Sequence, residues 1–461
     1  MNKFKFATMA FAALTLGLTS CTNDDAMTGQ PVELGQPTAM GLTISTPAVP
    51  RTYGLSTDGN ATDDEIELKT INVLIYSETS IPGSYILEKN ASLVVGDFDA
   101  VTGTPDTYKL KSGKEIATTT GNKKIFVAMN YPTPAALPAV NSPLTSLANF
   151  THSLSSADEL YSNGFTMFSA EEKLATLVAE ATPGVTPAAN QITVGVKRLV
   201  AKVTVREDIT RDGSGKIMSQ GGELTNLEFA LGNANKSIYP LQKRVGTSPA
   251  IVVQDPNWSS FAAGDFFSIS SYAPGSTAYD NIENVSVAAT ALDATAVYAP
   301  ENTAATHPAS GDNLTYVSVR AQYAPEFFCE DDGTSKGPNT AAAKSFWTVV
   351  ATDGSIYYFD VEADADTFLA ANPTYTKSDE YVDGLCYFRA YINKNGTADS
   401  NISGSTAAKF DVLRNNFYDM VVKSIKAPGS ATDKGGVAEE TTLMVDVQVE
   451  PWAVVSDNYD L

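Results

Sequence analysis

A cysteine near the start of the chain could take part in covalent lipid chemistry. Cys21 follows the small residues Thr19 and Ser20, which end an apolar run over residues 6–18. A basic start, an apolar run and a small-residue end are typical of a secretory signal. A cysteine at this point resembles the acylation site of bacterial lipoproteins. We therefore predict a signal peptide over residues 1–20 and a lipidated Cys21, the alternative being an ordinary export signal with a cysteine there by chance.

An isolated arginine could serve a different reaction, the hydrolysis of a peptide bond by an external protease. Arg51 is the only basic residue between Lys5 and Lys69. The stretch around it has the composition of an exposed loop, and exposed loops are the preferred sites of proteolytic cleavage. We predict that the chain is cut at Arg51.

The rest of the chain offers little that could catalyse a reaction or bind a metal. No metalloprotease, serine hydrolase or phosphate-loop motif occurs. His152 and His307, the two histidines, have no ligand pattern near them. Asp360, Asp364 and Asp366 resemble half of a calcium loop, but the glycine and the closing glutamate are missing. We predict that the protein is not an enzyme and has no catalytic residues, no cofactor and no metal site.

The charge of the chain excludes some partners. The formal net charge is −22, from 53 acidic and 31 basic residues. An acidic surface repels nucleic acid and anionic lipid headgroups. No stretch after residue 20 is long and apolar enough to span a bilayer, so we predict attachment through the lipid alone and no nucleic-acid partner.

Two further cysteines leave two alternatives open. Cys329 and Cys386 could form one disulfide, because a secreted protein folds in an oxidising compartment. They could equally be two buried thiols, and the sequence does not decide between the two.

The elements that position these residues are mostly strands. Short runs of β-branched and aromatic residues alternate with clusters of turn residues, and such runs occupy residues 69–76, 124–129, 191–196, 198–205, 315–320 and 355–359. Many short strands with regular turns predict an all-β fold of sandwiches rather than alternating strands and helices.

Helix signals are few and short. Residues 156–159 and 169–172 have the spacing of capping boxes, and residues 366–372 precede Pro373. Trp347 and the tyrosines at 357–358 could line a glycan cleft, but aromatic strand residues are more often part of a core.

A polar, glycine-rich run marks a domain boundary. Residues 207–215 interrupt a strong strand pattern. We predict an N-terminal β domain over residues 52–210 and a longer C-terminal β domain over residues 211–461. Residues 21–51 precede the first domain as a polar segment that contains one strand-like patch.

Two segments near the ends of the chain alternate like half-buried strands. In the first, the apolar positions are Met40, Leu42 and Ile44; in the second they are Leu443, Val445, Val447 and Val449, followed after Pro451 by Trp452 and Val454. The segments are either ordinary strands of their own sandwiches or alternatives for one groove.

Several stretches are similar to the fimbrillins, the shaft subunits of type V pili. They comprise residues 197–205, 231–240, 298–302, 383–389, 412–418 and 449–452. The order of these stretches, together with the lipidation site, the early arginine and the terminal strand, carries the resemblance over nearly all of the chain after the signal. Within the family the chain resembles the minor-fimbrium (Mfa) branch most.

The resemblance implies two tandem transthyretin-like β-sandwich domains with a few short helices. It implies a lipoprotein precursor on the outer membrane, cut between Arg51 and Thr52 by an arginine-specific protease. The propeptide, residues 21–51, would carry away the strand of Met40, Leu42 and Ile44. A C-terminal donor strand at about residues 440–455 would then fill the groove of the next subunit.

The function implied is that of a shaft subunit in a cell-surface fimbrium that supports adhesion and biofilm formation. Its partners would be further copies of itself in a head-to-tail polymer and accessory anchor and tip pilins. The alternatives are a lipid-anchored outer-membrane protein for glycan binding or nutrient uptake, and an accessory tip or anchor pilin.

Overall fold

The structure is a computed structural model that describes residues 35–46, 65–102, 107–213, 216–247, 250–269, 279–284, 295–307, 311–341, 343–396, 409–433 and 443–451. The predicted sites Cys21, Arg51, Thr52, Trp452 and Val454 lie outside these ranges.

Strands dominate the first half of the described residues. They are β1 (Pro37–Ser45), β2 (Thr70–Glu78), β3 (Tyr85–Val94), β4 (Phe98–Ala100), β5 (Thr107–Leu110), β6 (Ile116–Thr119), β7 (Gly121–Met129), β8 (His152–Ser153), β9 (Met167–Ser169), β10 (Lys173–Leu177) and β11 (Gln191–Arg198). The predicted strands at residues 69–76, 124–129 and 191–196 correspond to β2, β7 and β11.

Strands also dominate the second half. They are β12 (Val200–Glu207), β13 (Ile217–Ser219), β14 (Gly222–Gly232), β15 (Ala234–Asn235), β16 (Ser237–Ile238), β17 (Lys243–Val245), β18 (Val252–Gln254), β19 (Phe266–Phe267), β20 (Asp280–Asn281), β21 (Glu283–Asn284), β22 (Ala296–Pro300), β23 (Tyr316–Pro325), β24 (Phe327–Cys329), β25 (Ser335–Pro338), β26 (Trp347–Val350), β27 (Ile356–Phe359), β28 (Thr376–Lys377), β29 (Leu385–Tyr391), β30 (Asn416–Ile425) and β31 (Leu443–Pro451).

The first sheet system has ten strands and encloses one hydrophobic core. Its strand order is β3-β2-β7-β9-β11-β1-β5-β4, with β10 beside β7 and β6 beside β1. The core includes Ile71 of β2, Phe126 of β7 and Val194 of β11.

The second core lies between two five-stranded sheets. One has the order β21-β12-β30-β31 with β22 beside β12, and the other has the order β13-β14-β23-β29 with β20 beside β14. Val203, Phe229, Val319 and Met420 pack in this core. The prediction of an all-β fold built from two sandwiches is confirmed.

The change from one core to the other occurs at β12. Val200 packs in the first core and Ala201 in the second. β12 pairs in parallel with β30 over residues 202–207. It therefore lies in the second sandwich, although the sequence pattern assigns it to the first domain, and the loop at residues 207–215 follows the change of core. The boundary between residues 210 and 211 stays a prediction.

Two α-helices occur in the described ranges, α1 (Leu144–Ala148) and α2 (Glu362–Ala371), and neither is long and apolar enough to cross a membrane. The helix expected at residues 366–372 corresponds to the second half of α2.

The other two helix predictions are wrong. The Glu159 carboxylate accepts a hydrogen bond from the Ser155 amide at 2.5 Å and contacts His152 Nε2 at 2.8 Å, and the backbone around it forms turns. Ser169 ends β9, where the Val127 amide donates to its hydroxyl.

Candidate functional site: the groove that holds the first strand

β1 lies inside the first sheet and uses both of its edges. Gly41–Ser45 pair in parallel with Gln191–Gly195 of β11. On the other side, Thr43–Ser45 pair with β5 and Pro37–Met40 pair with β6, both antiparallel. If β1 were absent, the facing backbone groups of β11, β5 and β6 would be left without partners.

The three apolar residues predicted to share one face of β1 do so. Met40, Leu42 and Ile44 are 0%, 1% and 0% exposed and pack in the first core. Burial of an aliphatic side chain contributes roughly 1.5–3 kcal/mol, so these three contribute about 5–9 kcal/mol to the filling of the groove. The groove is the apolar trough that they occupy.

A buried asparagine at the edge of the groove was missed by the sequence analysis. Asn190 ends a single turn of 3₁₀ helix before β11, and its side-chain amide contacts both β1 and Val178, the residue that follows β10. Its hydrogen-bond partners lie 12 and up to 152 positions away in the sequence. No local pattern could reveal contacts of that range.

The C-terminal strand lies on its own sandwich. β31 pairs antiparallel with β30, and Val445 packs in the second core with Val447 at its margin. Lys394 Nζ donates to the Val445 carbonyl at 2.6 Å. Among the described residues, β31 has no strand on its other side, so it is an edge strand. The structure thus brings the predicted residues of the first segment, Met40, Leu42 and Ile44, together in the first core. It places the backbone of the second segment, which includes Leu443, Val445, Val447 and Val449, at the edge of the second sandwich.

The two other cysteines and Tyr358 lie partly or fully inside the fold. Cys329 is half-buried and Cys386 is buried, and both are free thiols. Burial raises the pKa of the Cys329 thiol, and burial raises the pKa of the Cys386 thiol to about 12. Tyr358 is buried, and its hydroxyl lies 2.9 Å from the Tyr323 hydroxyl.

Asp360, Asp364 and Asp366 pair with lysines. Lys336 contacts Asp360 at 3.0 Å and Asp364 at 2.6 Å, and Lys377 contacts Asp366 at 2.5 Å. The part of the chain that the structure describes holds no cluster of three or more potential metal ligands among its His, Cys, Asp and Glu residues.

The chain is similar to a fimbrilin (FimA) from Porphyromonas gingivalis W83, with 15% identity over 90% of this chain and 98% of that chain and a TM-score of 0.46. It is similar to the tip fimbrial protein Mfa3 from Porphyromonas gingivalis, with 14% identity over 90% of this chain and 100% of that chain and a TM-score of 0.38. A candidate cell adhesion protein from Parabacteroides distasonis ATCC 8503 has 13% identity over 91% of this chain and 98% of that chain and a TM-score of 0.48. No curated protein matches significantly.

A family match covers the last three strands. Residues 379–458 match the family described as "Major fimbrial subunit protein type IV, Fimbrillin, C-terminal". This range contains β29, β30 and β31. Over residues 379–458 the chain therefore carries a fimbrillin C-terminal region.

Proposed function

We propose that the chain is a structural, non-enzymatic subunit of a cell-surface fimbrium and that it polymerises by strand exchange. One observation carries the proposal. The strand β1, which lies inside the first sheet, ends only six positions before Arg51 (51 − 45), the isolated arginine. A single cut there would leave β1 attached to the rest of the subunit by hydrogen bonds and packing alone.

Loss of the cut segment would open the groove. The propeptide, residues 21–51, would take β1 with it, and an apolar trough flanked by unpaired strand edges would remain. Such a trough accepts an extended strand by β-augmentation, in which backbone hydrogen bonds give affinity and alternate side chains fill the core.

The occupant proposed is the C-terminal strand of a second copy. β31 has a paired strand on one side in its own subunit, whereas β1 has paired strands on both sides. Transfer of β31 into the groove would therefore exchange one paired edge for two. The contact joins different surfaces of two copies and does not close on itself, so it builds a filament.

The proposal is tested by blocking the cut. Arg51→Ala and Arg51→Lys should both accumulate as uncut precursor that sediments as a monomer, because an arginine-specific protease needs the guanidinium. Arg211→Lys, at an exposed arginine of the described region that pairs with Glu207, is the matched control for Arg51→Lys: it keeps the charge, removes the guanidinium and should polymerise normally. The surface form of the normal chain should begin at Thr52. Fibres from Arg51→Ala, or surface protein that retains β1, would overturn the proposal.

The same proposal includes the lipidation of Cys21 during export. A palmitate analogue should label the normal precursor and not a Cys21→Ala variant. Equal labelling of the two would show that Cys21 is not the anchor.

A further inference from the structure

Asn190 is a fully buried polar side chain at the point where β1 enters the sheet. It is 0% exposed. Its Nδ2 lies 3.0 Å from each of three acceptors, Thr38 Oγ1, the Ala39 carbonyl and the Val178 carbonyl. The Val178 amide donates to its Oδ1 at 2.9 Å, and the Thr38 hydroxyl donates to the Val178 carbonyl at 2.8 Å. A hydroxyl on β1 thus completes a buried cluster made by Asn190 and Val178.

Departure of β1 would leave this cluster incomplete. Asn190 would keep its two bonds to Val178 but would lose the Thr38 hydroxyl and the Ala39 carbonyl. A buried donor without an acceptor is costly, so a replacement strand that restores both groups is favoured over one that does not. Any residue supplies the carbonyl, whereas the hydroxyl requires Ser or Thr at the position of Thr38.

β1 has a hydroxyl residue followed by apolar residues at every second position, Thr38 and then Met40, Leu42 and Ile44. The C-terminal sequence repeats this spacing from Thr441, followed by Leu443, Val445 and Val447.

The neighbouring registers fit less well. If Thr442 replaced Thr38, Asp446 would fall at the position of Leu42 inside the core. If Leu443 replaced Thr38, the apolar pattern would be kept but Asn190 would have no hydroxyl partner. Only the register that begins at Thr441 satisfies both the core and the asparagine.

We propose that Asn190 sets the register of the incoming C-terminal strand by hydrogen-bonding Thr441. The strand then runs in the direction of β1 and places Leu443, Val445 and Val447 at the positions of Met40, Leu42 and Ile44. This inference rests on the proposed strand exchange and adds the residue that positions the partner strand.

One adjustment accompanies this register. Met444 falls at the position of Gly41, where a Cβ atom would lie 2.2 Å from Gln191 Oε1. The contact is with the end of an exposed, flexible side chain, which rotates away. The groove therefore accepts the side chain after a local movement of Gln191.

The first experiment uses the full chain cut at Arg51 and a labelled synthetic peptide of residues 438–455. Binding is measured by fluorescence anisotropy for the normal peptide, for Thr441→Val and for Thr442→Val. Valine keeps the shape of threonine and removes the hydroxyl. Thr441→Val should bind about 10- to 100-fold more weakly, and Thr442→Val, the matched control on the opposite face, should bind within about 3-fold of normal. Equal effects of the two would overturn the register.

An Asn190→Ala chain completes a double-mutant cycle. The difference between the normal and Thr441→Val peptides should shrink to about 2-fold or less on this chain. An undiminished difference would show that Thr441 does not act through Asn190. Failure of the normal peptide to bind the normal chain would overturn strand exchange itself, and the register with it.

A cross-link reports the register without touching Asn190. Thr43 pairs directly with Lys109 of β5, and the proposed register puts Asp446 at the position of Thr43. A Lys109→Cys chain should form a disulfide fastest with the Asp446→Cys peptide, because directly opposed residues have Cβ atoms within bonding range. Faster reaction with Met444→Cys or Gln448→Cys would assign another register.

Discussion

Lys202 Nζ lies 2.9 Å from Oε1 of Glu65, and both side chains are 2% exposed. The Tyr298 hydroxyl donates to the same Glu65 oxygen at 2.7 Å, and Arg198 Nε donates to the Glu65 carbonyl at 2.9 Å. Glu65 follows Arg51 by 14 residues (65 − 51), and Lys202 lies on β12. A chain cut at Arg51 would therefore be fixed to the second sandwich a short distance after its new N-terminus.

Removal of the Glu65 charge should destabilise the precursor strongly. Glu65→Gln leaves the Lys202 ammonium buried without its counter-charge, which costs about 3–5 kcal/mol of unfolding free energy. Urea unfolding is the measurement. The matched control is Glu67→Gln: the Glu67–Lys69 pair is about half exposed, so its loss should cost less than about 1 kcal/mol. Similar losses in the two variants would contradict the structure.

Shortening a buried side chain of β1 should lower the stability of the precursor but not that of the mature fibre. Leu42→Ala empties part of the first core and should lower the unfolding free energy of the uncut chain by about 2–5 kcal/mol. In the proposed maturation the cut would remove the altered strand, so fibres of this variant should dissociate at the same denaturant concentration as normal fibres.

The control for that comparison is a core residue outside β1. Ile125→Ala on β7 should weaken the precursor and the fibre alike, because Ile125 is buried in the same core and remains after the cut. Weakened fibres from Leu42→Ala would mean that β1 persists in them.

A buried ion pair beside β6 should make stability depend on pH. Lys123 Nζ contacts Glu88 at 2.6 Å and Ser77 at 2.5 Å, and Thr118 donates to Glu88 at 2.9 Å. Burial alone would raise the pKa of Glu88, but the hydrogen bonds from Lys123, Ser77 and Thr118 hold that pKa below its usual value. The pair therefore stabilises the fold above the unfolded pKa of Glu, and this contribution is lost as pH falls through the lowered folded pKa.

Glu88→Gln tests this dependence. The variant should be less stable than the normal chain at about pH 7, and the difference should shrink as the pH approaches about 3. Urea midpoints at several pH values give the comparison. A difference that stays constant with pH would show that Glu88 does not titrate as inferred.

Release of β31 from its own sandwich should control the rate of polymerisation. Lys394→Met removes the hydrogen bond to the Val445 carbonyl, which contributes roughly 0.5–1.5 kcal/mol, so strand release and assembly should be up to about 10-fold faster. Sedimentation over time after the cut follows assembly. Lys409→Met, at an exposed lysine, is the control. An equal assembly rate in both variants would show that release of β31 does not limit assembly.

Local patterns predicted the strands well because runs of β-branched residues and the alternation of apolar residues are both local properties. β2, β7, β11 and β12 follow directly from runs of β-branched residues, and the shared face of Met40, Leu42 and Ile44 follows from their parity. The helix expected at Ser169 failed because the distant Val127 amide donates to the Ser169 hydroxyl. The helix expected at Ser156 failed because Glu159 binds Ser155 and His152, in a stretch of turns.

Long-range contacts were beyond the sequence. Nothing near Asn190 indicates that it bonds Thr38, and nothing near Glu65 indicates that it meets Lys202 on the second sandwich. The change of core within β12 was also missed, because the residues on both sides of Ala201 have the same strand pattern.

The parallel pairing of β1 with β11 sets an order of events in time. Gly41 pairs with Gln191, 150 residues later (191 − 41), so the first sandwich cannot close until the chain has been synthesised through β11. Closure of such distant contacts is slow. In the proposed assembly, a subunit that carries its own first strand would complete this slow step alone, without competition from neighbours, and a filament would grow only from subunits that have already folded.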